Sequence, residues 1–236
     1  MRLGIVALVT ALIAGGCGGS GSGNANLTFF ESLLPLENTD VGTLWCFRVR
    51  KVHTRPSGAQ TEKTEDRYFK FGRIDDPTGP EIYTVSESSD DGEVFGTNMY
   101  GIRRTLSSLE MMFGTGTTVT TGGIIQEEFD VDVLMPGMRV ANRNMSSGET
   151  FTNTLVNAVT DYSLTWVGPE AVPGHFDAER FDFSIDIPHA TDTISVVGTV
   201  WVVQDVGPVQ IVVTKTTERA DGTKIEEYTA TLEDTE

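Results

Sequence analysis

Apolar and polar residues alternate one by one over much of the chain from about residue 44 onward. Trp45, Phe47 and Val49 alternate with polar or small neighbours, and Phe69 and Phe71 repeat the pattern. A period of two places alternate side chains on the two faces of a β-strand. The pattern predicts about ten strands. After the first, they cover residues 67–71, 82–85, 129–133, 155–167, 176–187, 194–203, 209–217 and 225–232.

Turn-forming residues separate these segments. Asp221-Gly222 lies between the last two strands and is a strong hairpin signal. Alternating strands and helices are missing, and so is any repeat of fixed length. The sequence therefore predicts an all-β fold, a large antiparallel sheet that is curled or closed, with a β-sandwich as the alternative.

The middle of the chain is less regular. Residues 101–113 fit either a pair of strands or a short helix, and the Gly/Thr-rich residues 114–118 suggest a mobile loop. The pattern leaves the structure of residues 101–128 open.

The first 16 residues have the composition of a signal peptide. Arg2 is followed by an apolar run, residues 3–14, which only Thr10 interrupts. A membrane-spanning helix needs about 20 apolar residues, so this run is too short to cross a bilayer and fits an export signal. We expect residues 1–16 to be removed, residues 17–26 to form a Gly/Ser-rich tether, and residues 27–236 to fold as one antiparallel β domain.

The residues before Cys17 indicate how the exported chain is held. Ala14-Gly15-Gly16 resembles the lipobox of bacterial lipoproteins, although Ala14 stands where leucine is usual. The resemblance implies that Cys17 carries a diacylglycerol, which anchors the chain to the cell envelope. Gly18 is not aspartate, which by similarity to the sorting rule of enteric bacteria implies the outer membrane in a host that has one. The alternative is ordinary cleavage that leaves Cys17 unmodified.

The charge balance limits the partners of the exported domain. Loss of Arg2 leaves 16 of the 17 basic residues against 34 acidic ones, a formal net charge of −18. Nucleic acid is therefore a poor partner, and membrane attachment would come from the lipid rather than from charge. With Cys17 acylated, Cys46 has no partner for an internal disulfide, and its apolar neighbours predict a small buried side chain.

Three stretches resemble a loose family of bacterial secreted proteins and lipoproteins, mostly of unknown function. They span nearly the whole exported chain. They are Leu34-Pro35-Leu36 with Val41-Gly42-Thr43-Leu44-Trp45-Cys46-Phe47-Arg48-Val49, then Val172-Pro173-Gly174-His175-Phe176-Asp177-Ala178-Glu179-Arg180, then Trp201 with Val206-Gly207-Pro208-Val209. The second lacks an alanine that is usual between Pro173 and Gly174, and the third has Asp205 where glycine is usual.

The resemblance implies an open, half-barrel antiparallel sheet like that of LolA-type lipoprotein carriers, which wrap a concave face around apolar material. It also implies that Trp45, Trp166 and Trp201 fill the core or line the concave face. Glycines and prolines of the motifs would set turns, with Gly174 at positive φ. The resemblance implies no established activity.

The sequence offers no recognisable catalytic, metal or cofactor motif. His53, His175 and His189 lack metal-ligand spacing, and we interpret His175 as a solvated turn residue. With 34 acidic residues, solvated strand faces and turns are the simplest interpretation of any carboxylate pair. The candidate groups are Asp130 with Asp132, Asp182 with Ser184 and Asp186, and Asp90-Asp91-Gly92-Glu93 as a calcium loop.

We therefore expect a non-enzymatic envelope lipoprotein that binds or carries an apolar ligand, a lipid or lipopeptide, in a half-barrel. The expectation rests on the fold resemblance more than on any residue. The alternative is a scaffold whose sheet edge or loops bind another envelope protein, and an unrecognised hydrolase is a third, weaker hypothesis. A contiguous apolar cavity on the inner face would favour the carrier, whereas a filled core would favour the scaffold.

Overall fold

The computed structural model describes residues 44–74, 82–88, 98–115, 117–121, 124–128, 138–155, 160–188, 191–204 and 207–234. Every regular element of this part of the chain is a strand. The strands are β1 (Leu44–Thr54), β2 (Gln60–Ile74), β3 (Ile82–Ser88), β4 (Asn98–Arg104), β5 (Ser108–Thr115), β6 (Thr117–Thr121), β7 (Ile124–Glu128), β8 (Met138–Asn142), β9 (Thr150–Leu155), β10 (Thr160–Pro169), β11 (Glu179–Pro188), β12 (Asp192–Val203), β13 (Gly207–Arg219) and β14 (Lys224–Asp234). The signal peptide, the tether and the strand predicted at 129–133 lie outside the described residues.

One 12-stranded sheet contains all of these strands except β6 and β7, which pair with each other. Its order is β8-β5-β4-β3-β2-β1-β14-β13-β12-β11-β10-β9. Every pair of neighbours is antiparallel, and β1 and β14 lie side by side at the centre, with Val49 opposite Leu232. Two series of hairpins therefore extend in opposite directions from this central pair. The all-β, antiparallel prediction is confirmed.

The alternation in the sequence becomes two chemically different faces of β10–β13. One of them, called the inner face, carries buried apolar side chains. Trp166, Phe181, Val200 and Ile211 occupy consecutive paired positions across the four strands, and each is at most 4% exposed. Val49 continues this row on β1. Burial of one such side chain contributes about 1.5–3 kcal/mol, so this face dominates the stability of the sheet.

Gly198 is the one inner-face position of β12 without a side chain, and the ring of Phe183 lies over it. A Cβ at this position would overlap that ring and would lie 2.9 Å from the carbonyl oxygen of Val212. Glycine is therefore required here by close packing rather than by a turn.

The sheet curls until its two edge strands meet. β8 and β9 are at opposite ends of the strand order, yet the side-chain amide of Asn153 in β9 donates to the backbone oxygen of Arg139 in β8 at 2.8 Å. No hydrogen-bonded ladder joins β8 to β9 in the described sheet, which is therefore not closed into a barrel. Because the inner face is buried and the edges approach each other, we assign the inner face to the concave side.

The structure settles the middle of the chain and corrects two boundaries. Residues 101–113 belong to a strand pair, β4 and β5. The predicted mobile loop at 114–118 was wrong, because β5 reaches Thr115 and β6 begins at Thr117. β11 begins at Glu179 rather than at Phe176, because Val172 and His175 exchange two 2.9 Å backbone hydrogen bonds and hold the preceding link in a tight turn.

The tryptophans do not all lie on the concave side. Trp166 is buried on the inner face, as the family resemblance implied. Trp201 lies on the opposite face, opposite Arg180, so it does not line the concavity. Its ring packs instead against a small buried cluster that includes Val172 and Ala178 of the link between β10 and β11. The side chain of Trp45 lies outside the described residues.

Candidate functional site

The strip where β8 meets β9, called the seam, is the candidate site. Three contacts define it. Asn153 bridges the two edges through the backbone of Arg139, the guanidinium of Arg139 lies 5.6 Å from the ring centroid of Phe151, and that ring lies 6.4 Å from the ring of Tyr162 on β10. Because one side-chain hydrogen bond replaces a ladder here, parting the edges costs far less than parting two paired strands.

Tyr162 lies directly behind the seam, on the inner face. It is opposite Asn153 on β9 and Ile185 on β11, and it is 3% exposed. Its hydroxyl has no hydrogen-bond partner in the described part of the chain. A buried polar group left without a partner costs about 1–3 kcal/mol. Burial also raises the pKa of the phenol far above its ordinary value, so the group stays protonated.

The inner face changes from apolar to charged towards the centre of the sheet. Lys51, two residues after Val49 on the same side of β1, pairs with the carboxylate of Glu65 on β2. Both side chains are largely buried, 18% and 13% exposed, and Lys63 contacts the second oxygen of Glu65. The inner face is thus apolar beneath β9–β13 and at Phe47 and Val49 of β1, and it becomes charged at Lys51, Glu65 and Lys63.

The opposite, outer face of β10–β13 carries a shallow groove of about 410 Å³. Short hydroxyl side chains line much of it and pair across the strands. Ser163 and Ser184 are 2.8 Å apart, and Thr199 donates to Asp182 at 2.8 Å. Val197 lies among them and is 51% exposed. The groove is open and combines hydroxyl, charged and apolar side chains, unlike the inner face.

A hydrogen-bonded network flanks the groove. Arg180 donates to both carboxylate oxygens of Asp182, at 2.9 and 3.0 Å, and to Glu170 at 2.9 Å. The indole N–H of Trp201 donates to Glu170 at 3.1 Å. The bonds from Arg180 and then Trp201 lower the pKa of the Glu170 carboxyl, and those to Asp182 and then Glu170 raise the pKa of Arg180. The network fastens the 170–178 link onto the outer face.

The sequence-predicted residues are not brought together into one site. Cys17, His189, the pair Asp130 and Asp132, and the acidic segment at 90–93 lie outside the described residues. The predicted shared face of Asp182, Ser184 and Asp186 is confirmed, on the outer side. Asp182 bonds Arg180 and Thr199, Ser184 bonds Ser163, and Asp186 bonds Ser195.

The predicted turn residues and Cys46 have clear positions. Gly174 has φ +87°, as expected. His175 is half-buried in the same link and takes part in its backbone bonds, and His53 is half-buried on β1. Cys46 is half-buried rather than buried, because it faces the side opposite Phe47 and Val49.

Among the residues described, no group of three or more His, Cys, Asp or Glu side chains could hold a metal ion. The described residues also contain no helix that is long and apolar enough to cross a membrane. Tyr162 is the site residue that sequence reasoning missed, because a tyrosine in an alternating strand gives no sign of whether its hydroxyl finds a partner.

Comparison with known proteins gives only distant similarities. No family model and no curated protein matches the chain. A Bacteroides fragilis protein of YmcC-like fold, described as exported, is similar at 14% identity over 82% of this chain and 96% of its own, with a TM-score of 0.33. A DUF1329 family protein from Desulfovibrio piger is similar at 10% identity over 86% and 89%, with a TM-score of 0.21. These values assign neither a family nor a function, and the likeness to LolA-type carriers rests on the sequence motifs alone.

Proposed function

We propose that the chain is an exported, lipid-anchored protein of the cell envelope that binds an apolar ligand in the concavity of its sheet and catalyses no reaction. The anchor on Cys17, and the outer membrane as its location, rest on the sequence motifs. The ligand-binding part rests on the seam, where Asn153 is the only side chain that bridges the two edge strands by a hydrogen bond within the described residues. The inner-face side chains near the seam are almost fully buried, so a ligand would have to part these two edges to reach them.

The unpartnered hydroxyl of Tyr162 is the observation that carries the proposal. It lies among apolar side chains such as Phe151 and Ile185, and no atom in the described part of the chain accepts a hydrogen bond from it. A ligand with a long apolar part and one acceptor oxygen, such as an ester or amide of a fatty chain, would satisfy it. The hydrogen bond to the ligand would then offset the free-energy cost of burying this hydroxyl without a partner.

The protonation state of Tyr162 favours binding over catalysis. Because burial raises the pKa of the phenol well beyond its usual range, the hydroxyl does not lose its proton near neutral pH. It can donate a hydrogen bond to a ligand, but it cannot act there as a general base. The role that this group supports is recognition of an acceptor atom.

Two matched fluorescent probes test the proposal. One is the methyl ester of pyrenedodecanoic acid, which has an acceptor carbonyl, and the other is pyrenedodecane, which has none. We expect both to bind the chain from residue 17 onward carrying Cys17→Ser, with enhanced pyrene emission. Tyr162→Phe should weaken binding of the ester roughly twofold to tenfold and leave binding of the hydrocarbon unchanged, because it removes one hydrogen bond.

Ser163→Ala is the matched control, since it deletes a hydroxyl from the same strand on the outer face. It should change neither affinity. If neither probe bound, the carrier proposal would be wrong. If both probes bound and Tyr162→Phe weakened both equally, the concavity would remain the binding site, but a hydrogen bond from the Tyr162 hydroxyl to the ester would be contradicted.

The outer groove favours a second candidate function, a scaffold that binds another envelope protein. The supporting observation is Val197, an apolar side chain that is half exposed within an open groove. A photo-crosslinking residue in place of Val197 should then capture one specific envelope protein. Capture should disappear on Thr199→Lys, which fills the groove, while probe binding at the seam stays unchanged.

A further inference from the structure

The antiparallel strand order divides the connections of the sheet between two ends. β1 begins at Leu44, opposite Lys70 near the end of β2. Following the pairings outward from this point places the links after β4, β8 and β10, residues 105–107, 143–149 and 170–178, at the same end as Leu44. This is called the anchor end. The turns at 55–59 and 220–223 lie at the opposite end.

Hydrogen bonds hold two of the anchor-end links against each other and against the sheet. The backbone N–H of Arg143 donates to Ser107 at 3.2 Å, and its guanidinium donates to the carbonyl of Thr105 at 3.2 Å. In the same link, the N–H of Gly148 donates to the carbonyl of Trp166 at 2.7 Å. The links therefore form a supported rim.

Two large apolar side chains project from this rim. Leu106 is 98% exposed in the link after β4, and Phe176 is 89% exposed in the link after β10. They are the two most exposed large hydrophobic residues in the described part of the chain. One exposed leucine is ordinary on a protein surface. Leu106 and Phe176, by contrast, lie at the tips of two separate links at the anchor end, where β1 begins. Their common position indicates a shared contact surface.

We propose that the anchor end docks on a lipid bilayer, with Leu106 and Phe176 inserted into its interface. This inference rests on the proposed lipid anchor. Cys17 precedes β1 along the chain, and β1 begins at Leu44 at this same end, so the proposed lipid and both tips can meet one membrane. The formal charge of −18 on the exported chain, 16 basic against 34 acidic residues, favours a bilayer with neutral, zwitterionic headgroups, because anionic lipids would repel the domain.

An environment-sensitive fluorophore tests which end meets the membrane. It is attached through Leu106→Cys or Phe176→Cys in the lipidated chain, with Cys46→Ala to remove the other thiol. Exposed Ser57 and Asp221, at the opposite end, give matched controls as Ser57→Cys and Asp221→Cys. On phosphatidylcholine vesicles we expect a blue shift and quenching by lipid-borne spin labels at the first two positions only. Equal responses at all four positions, or a response at the controls alone, would overturn the proposal.

Partitioning of the unlipidated chain, from residue 17 onward with Cys17→Ser, separates this inference from the proposed anchor. Leu106→Ser and Phe176→Ser should each weaken partitioning into phosphatidylcholine vesicles about tenfold, whereas Val197→Ser, an exposed apolar control on the outer face, should not. Unchanged partitioning in both tip variants would contradict docking even if Cys17 incorporates a fatty-acid label. Failure of that labelling with intact tip insertion would instead contradict the lipid anchor alone.

Discussion

The two faces of β10–β13 come from the same strands but are held by different forces. Ile211 on the inner face is fully buried, whereas the ion pairs of Arg180 on the outer face join side chains that are 32% to 40% exposed. A buried aliphatic side chain contributes about 1.5–3 kcal/mol, and an exposed ion pair about 0–1 kcal/mol. The difference shows on which face an unpaired polar group points to a missing binding partner. On the outer face polar groups are expected, whereas the buried hydroxyl of Tyr162 on the inner face has no hydrogen-bond partner in the described residues.

The largest expected effect is the loss of a buried inner-face side chain. Ile211→Ala should lower the free energy of unfolding by about 2–5 kcal/mol, because it removes apolar contacts and leaves a cavity. Val197→Ala, on the exposed face of the next strand, should cost no more than about 0.5 kcal/mol. Urea denaturation measures both. Similar losses in the two variants would contradict the assignment of the faces.

A β-carbon at Gly198 should have the next largest effect. Gly198→Ala should cost about 1–3 kcal/mol, because the added carbon overlaps the ring of Phe183. Phe183→Leu in the same chain should recover part of that loss, so the double variant is more stable than the sum of the single changes predicts. Strict additivity in a double-mutant cycle would show that the ring does not fill this position.

Weakening the seam should change the rates of amide hydrogen exchange and ligand dissociation more than it changes the free energy of unfolding. Asn153→Ala removes the bond to the backbone of Arg139 and should cost about 1 kcal/mol. Amide hydrogens of β8 should exchange faster, and the pyrene ester should dissociate faster, since the edges part more readily. Thr154→Ala, which removes an exposed hydroxyl next to it, is the control. An unchanged dissociation rate in Asn153→Ala would mean that the ligand enters elsewhere.

The smallest expected effect is the pH dependence from Glu170. Its folded pKa is lowered by Arg180 and Trp201, so the carboxylate stabilises the fold above its ordinary pKa of 4.5, and this contribution is lost as the pH falls through the lower folded value. The contribution is on the order of 0.5 kcal/mol, because the side chain is 40% exposed. Glu170→Gln should therefore flatten the decline in melting temperature below pH 4.5. An identical decline in both proteins would contradict this role.

The sequence predicted β11–β14 well, because their apolar residues mostly alternate with polar ones and Asp221-Gly222 marks the last turn, whereas the strand predicted at 155–167 joins the end of β9 to β10. It could not decide residues 101–113, where adjacent Met111 and Met112 disrupt the alternation. Phe176 was assigned to a strand because it continues the apolar pattern, but the turn closed by Val172 excludes it from the ladder. The seam could not be predicted, because β8 and β9 follow each other along the chain but pair with β5 and β10, which leaves them at opposite ends of the strand order.

The central claim is that the concavity holds an apolar ligand near Tyr162. Native mass spectrometry of the chain from residue 17 onward with Cys17→Ser, purified without detergent, tests it most directly. We predict an adduct of one lipid-sized molecule per chain, removed by solvent extraction, restored by adding the pyrene ester, and less abundant in Tyr162→Phe than in Ser163→Ala. A chain that carries no adduct and takes up no ester would contradict the account.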